Sequence, residues 1–178
     1  MRFKRATATE ERLKRLARSI ESLAGRDAAQ IREAERMSAL RGSAAAELHA
    51  SCADFVGSVN RLLSKPLVEL GPAEFLPASF RDPGNNVFQI NFSGRMLHME
   101  FRATDTLTST DDFRIPYIIE GKIRCLNQQM LDQVLIPETL LFCCLESGGY
   151  TWLTFDPRIH RVTPFDREFL VVVMERLV

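Results

Sequence analysis

The stretch VFQINFSGRMLHMEFR, residues 87–102, decides how this chain folds. Phe88, Ile90 and Phe92 alternate with Val87, Gln89 and Asn91. After Ser93-Gly94 the apolar set returns at Leu97, Met99 and Phe101, interleaved with His98, Glu100 and Arg102. Successive side chains of a strand point to opposite faces, so this period of two predicts two antiparallel strands covered on one face. Ser93-Gly94 between them suits a two-residue hairpin, whose backbone favours glycine.

The pattern continues toward the C-terminus. Residues 104–112 read as a Thr/Ser/Asp loop. Residues 115–125 alternate again, with Tyr117, Ile119, Gly121 and Ile123 inward and Glu120, Lys122 and Arg124 outward. Residues 127–133 are polar and read as a short helix or a wide turn. Residues 140–146 and 150–155 flank Ser147-Gly148-Gly149, a second hairpin signal, and Trp152 on the returning strand is expected to be at least partly buried. Thr163 reads as an N-cap and Pro164 as the first position of a closing helix over 164–177, with Phe165, Phe169, Leu170, Val173 and Leu177 on one face.

In the other direction the period changes. Residues 64–86 carry Pro66, Pro72, Pro77 and Pro83 and read as a Pro-rich connector. Residues 1–63 read as a helical arm. Thr7 and Glu10 fit a capping box, and Leu13, Leu16, Ile20 and Leu23 recur at spacings of three and four, a coiled-coil-like stripe. Asp27 and Gln30 interrupt it, and Ile31, Ala34 and Met37 resume it, shifted. Ala45, Leu48, Cys52, Phe55, Val59 and Leu62 form a bulkier stripe. Gly25 and Gly42 are candidate breaks, so the arm is expected to be two or three helices. The expectation is an α+β chain: a long N-terminal helical arm (1–63), the connector (64–86), and an antiparallel β domain (87–178) of four or five strands with a C-terminal helix packed on it.

Charge and chemistry narrow the function classes. The net charge is zero, yet residues 1–65 hold 13 Lys/Arg against 8 Asp/Glu, and residues 66–178 hold 10 against 15. Arg12, Lys14, Arg15 and Arg18 could contact phosphates, although Glu10, Glu11 and Glu21 lie among them. The apolar runs at 140–145 and 169–174 are too short to span a bilayer, so no membrane role is expected. Cys52, Cys125, Cys143 and Cys144 do not read as a disulfide framework, which favours the cytoplasm. His49 and Cys52 lack the further donors that zinc requires. His98, Glu100 and Arg102 share one strand face and read as solvated polar groups rather than an acid–base set. No nucleophile elbow or phosphate loop is present, so no metal, cofactor or catalytic residue is assigned.

The resulting expectation is a non-enzymatic assembly or adaptor subunit. Leu13, Leu16, Ile20 and Leu23 would bind a partner, either a second copy in a homo-oligomer or another protein. Nucleic-acid binding through Arg12, Lys14, Arg15 and Arg18 is the alternative. The strand register makes its own prediction. Phe101→Ala should cost about 3–5 kcal/mol in chemical unfolding, whereas Arg102→Ala should cost little. The reverse order would mean that the strand is slipped by one residue.

Overall fold

The computed structural model describes residues 2–127 and 137–178, with side chains from residue 9 onward. The stretch 128–133 of the expected polar turn therefore lies outside the described residues. The chain divides into two compact units, residues 1–39 and 40–178.

One helix, α1 (Arg2–Leu62), replaces the two or three expected helices and begins ahead of Thr7. The two glycines explain why it does not break. Gly25 meets nothing that a Cβ would touch, so it costs only about 1 kcal/mol relative to Ala. Gly42 has a packing role instead: a Cβ there would lie 2.5 Å from the Pro77 carbonyl oxygen. The helix gives way to the Pro66 region, where Asn60 holds the departing chain. Its Oδ1 accepts from the Leu67 and Val68 amides, both at 3.1 Å, and its Nδ2 donates to the Val68 carbonyl at 2.8 Å.

The sheet has seven strands rather than four or five, in a simple antiparallel meander: β1 (Glu69–Gly71), β2 (Asn85–Phe92), β3 (Arg95–Thr108), β4 (Tyr117–Leu126), β5 (Glu138–Glu146), β6 (Gly149–Asp156) and β7 (Arg161–Pro164). The five expected strands are all present. The two extra ones are the short edges, too brief to show a period. β3 also runs five residues into the expected 104–112 loop. Both hairpins form. Ser93 and Gly94 have φ of 45° and 76°, the two positive values a tight turn of matching twist requires.

One face of the sheet is the expected core. Phe88, Ile90, Leu97, Met99, Phe101, Ile119, Ile123 and Leu141 are buried, while Phe92 is only half-buried. Helix residues of the same unit lie on this face. The Trp152 indole N–H donates to the Ala44 carbonyl at 2.9 Å, Phe88 meets the His49 ring edge-on, and Leu48, Cys52 and Phe55 are buried. Gly121 is read inward as expected, but a Cβ there would lie 2.5 Å from the Glu100 carbonyl oxygen and 2.7 Å from the Phe101 Cβ. Glycine lets β3 and β4 approach under the Phe101 ring.

The closing helix, α2 (Arg167–Glu175), starts later than expected. Asp166, not Thr163, is its N-cap, accepting from the Phe169 amide at 2.9 Å. Thr163 and Pro164 belong instead to β7, where proline is tolerated because the strand is an edge. Leu170, Val173 and Met174 are buried.

The alternation fails at one place, and Arg41 repairs it. Ala103 pairs with Ile119, but the next pair is Thr108 with Tyr117, and β4 carries an extra residue against β5 between Tyr117 and Ile119. Tyr117, Ile118 and Ile119 are consequently all buried. The irregularity leaves carbonyls without ladder partners. Arg41, 9% exposed, donates from Nε to the Ile118 carbonyl at 3.2 Å, from Nη2 to the Thr104 carbonyl, and from Nη1 to Asp82 Oδ2 at 2.9 Å.

Arg41→Ala should therefore lower the unfolding free energy by roughly 3–5 kcal/mol, since it strands a carboxylate and two carbonyls. Arg41→Lys should recover only part of this, because an ammonium cannot address three acceptors as a fork does. Urea unfolding of the three proteins checks it.

Candidate functional site

Two surfaces carry the candidate residues. The first lies on residues 9–39. Leu13, Leu16, Ile20 and Leu23 are 56–59% exposed, and Ile31 is 59% exposed. A helix interior normally hides such side chains, and burial of an apolar face supplies most of a helix's stability. Here the described side chains of this unit are exposed or at most half-buried. Its ion pairs are Lys14–Glu10 at 3.4 Å, Arg15–Glu11 at 4.0 Å and Arg36–Glu33 at 2.9 Å, all solvent-exposed and worth little each. Of the four residues considered for phosphate contact, Lys14 and Arg15 are thus mated along their own helix. Arg12 and Arg18 are exposed and form no ion pair among the described residues.

The second surface is the outer face of the sheet, opposite Phe88 and Phe101. His98, Glu100 and Arg102 lie here as expected, but they do not converge on one point. His98 and Glu100 are engaged by β2 and Arg102 by β4. His98 Nδ1 meets Gln89 Nε2 at 3.1 Å, Glu100 accepts from Asn85 Nδ2 at 2.8 Å, and Arg102 donates to Glu120 at 2.8 and 3.0 Å. Glu138 accepts from Arg124 at 2.6 Å and pairs with Lys122 at 3.1 Å. Burial works against its charge, but these two cations prevail and hold its carboxyl below the usual range. The result is a ladder of cross-strand pairs.

This face is not uniformly polar. Beside the ladder, Phe113, Tyr117, Phe142, Cys144 and Phe155 form a second buried cluster. Phe113 comes from the segment after β3 and stacks on Phe142 with ring centroids 4.2 Å apart. A groove of about 450 Å³ lies where ladder and cluster meet, lined by Arg102, Glu120, Lys122, Arg124, Leu140 and Phe142 among others. Sequence alternation placed Tyr117 inward with Ile119. The bulge at Ile118 turns it to this outer cluster instead.

The remaining candidates have structural partners. His49 and Cys52 do not form a metal pair: His49 Nε2 donates to the Pro72 carbonyl at 2.8 Å, and Cys52 lies in the apolar core. Tyr150 donates to Glu47 at 2.7 Å, and burial together with that carboxylate pushes its hydroxyl up to about 12. Among the described residues Arg41 stands out for its polar geometry, which no local motif announces: its partners Asp82, Thr104 and Ile118 lie far along the chain.

All four cysteines are free, and Cys143 and Cys144 are buried on opposite faces of β5. Burial pushes the thiols of Cys52 and Cys144 up to about 12 and Cys143 upward as well, so they stay protonated through neutral pH. Cys125 is raised too, but is only partly buried. A disulfide-exchange reagent at pH 8 should accordingly modify no more than Cys125 in the native protein, and all four thiols after denaturation. Rapid native reaction of three or four thiols would contradict this packing. No described helix is long and apolar enough to cross a membrane. Set beside known protein families, curated proteins and solved structures, the chain matches none of them.

Proposed function

We propose that this chain is a non-enzymatic assembly subunit that associates with a second copy of itself through residues 10–39. The observation that supports this reading is the exposed line of Leu13, Leu16, Ile20 and Leu23. Its three-four spacing is that of a seam made to pack against another helix. A self-pairing seam also fits the charges. Lys14 and Arg15 are balanced by Glu10 and Glu11 on the same helix, so the stripe's flank does not call for a strongly acidic partner. The same balance weakens the phosphate-binding alternative, which rests on Arg12, Lys14, Arg15 and Arg18 acting together. The outer-face ladder supports no catalytic role, because its charged groups are spent on one another.

Sedimentation equilibrium of the full chain should give a concentration-dependent dimer. Leu16→Glu together with Leu23→Glu should make it monomeric. Removing residues 1–39 should leave a folded monomer, because Arg41 and the helix residues that cover the sheet are retained. Nuclease treatment and raised salt should leave the wild-type mass unchanged. A strictly monomeric full chain at high micromolar concentration would overturn self-association. A mass that falls with nuclease would favour the arginines instead.

A further inference from the structure

We propose that Asp27 sets the strength of self-association by placing a carboxylate in the middle of the pairing face. This rests on the self-pairing reading above. Asp27 follows Leu23 by four residues and precedes Ile31 by four, so on a continuous helix it shares the face of Leu16, Ile20, Leu23 and Ile31. Both ends of that face are exposed leucine or isoleucine, and Ala24, Ala28 and Ala34 widen it with small side chains. Because the helix continues unbroken through Gly25, the stripe does not end at Leu23. It runs on to Ile31 with one charged residue within it. Among the described residues Asp27 forms no ion pair with its own helix.

A second helix laid on this face must remove Asp27 from water. In a parallel, in-register pair it lies against its counterpart in the second copy, and like charges repel. In an antiparallel pair it is desolvated among side chains that offer no charge in return. Either arrangement costs association free energy, the known effect of a polar residue in a core position of a coiled coil. The residue thus keeps the pair reversible and holds the strongest contacts to Leu13, Leu16, Ile20 and Leu23. Glu21 provides the comparison: it belongs to the same unit and carries the same charge, but it lies off the stripe.

Sedimentation equilibrium of full-length Asp27→Asn, Asp27→Ile and Glu21→Gln tests this, with circular dichroism confirming equal helix content. Asp27→Asn should tighten the dimer roughly tenfold, because a neutral amide costs less to remove from water than a carboxylate. Asp27→Ile should tighten it further, and Glu21→Gln should stay within about twofold of wild type. If the wild type dimerises but both Asp27 variants match or weaken it, or if Glu21→Gln tightens it equally, this inference fails while self-association stands. If wild type and Asp27→Ile are both monomeric at the highest concentration, the self-pairing reading fails and takes this one with it.

Discussion

The β unit depends on one guanidinium. Arg41 reaches from helix to sheet and satisfies the carbonyls of Thr104 and Ile118 at the point where β3 and β4 lose their register. Its third partner, Asp82, comes from the segment leading into β2. Buried carbonyls without donors are expensive, and in a regular sheet the neighbouring strand supplies them. Here the helix supplies them. A single side chain therefore fixes where the helix lies, how the bulge is held open, and where the connector ends. Lysine would not match this, because its three donors sit on one nitrogen, whereas the guanidinium reaches the three acceptors from Nε, Nη1 and Nη2.

The bulge in turn explains why the sheet is packed on both faces. A strictly regular β4 would keep Tyr117 under the helix, on the side of Ile119. The extra residue at Ile118 sends the Tyr117 ring outward to Phe142 and Phe113, with centroids 4.5 and 6.0 Å away. Near the bulge the outer face is therefore a second small core, and away from it the same face is a ladder of ion pairs. Glu120 and Glu138 each serve a neighbouring strand, which spends the polar groups on holding the strands together. A site that performs acid–base chemistry needs titratable groups converging on a shared point, and these run in a line across the sheet.

The arm segment poses the opposite case. Residues 9–39 hide almost nothing, and their described ion pairs are three exposed contacts within the helix itself. Such terms are each a fraction of a kcal/mol. A row of leucines is kept in water on a helix of this length, and that asymmetry between a richly packed sheet and a bare helix motivates the functional reading.

Periodicity made much of this legible in the sequence. Alternation over 87–102 determined two strands, their hairpin and their buried face, because a period of two has no other economical packing. The stripe from Leu13 to Leu23, the helical character of Arg2–Leu62 and the closing helix were legible for the same reason. What sequence could not reach were the features set by contacts between distant segments. Gly42 looked like a helix break, yet it is a point of close approach to the Pro77 carbonyl. Thr163-Pro164 looked like a cap, yet a seventh strand claimed it for the sheet edge and moved the cap to Asp166. Tyr117 looked inward, and the reach of Arg41 to two strand carbonyls had no local signal. Local pattern reports which face a residue prefers when its element is regular. Where register slips, the nearest unpaired carbonyl or open cavity decides instead, and those exist only once the chain has folded.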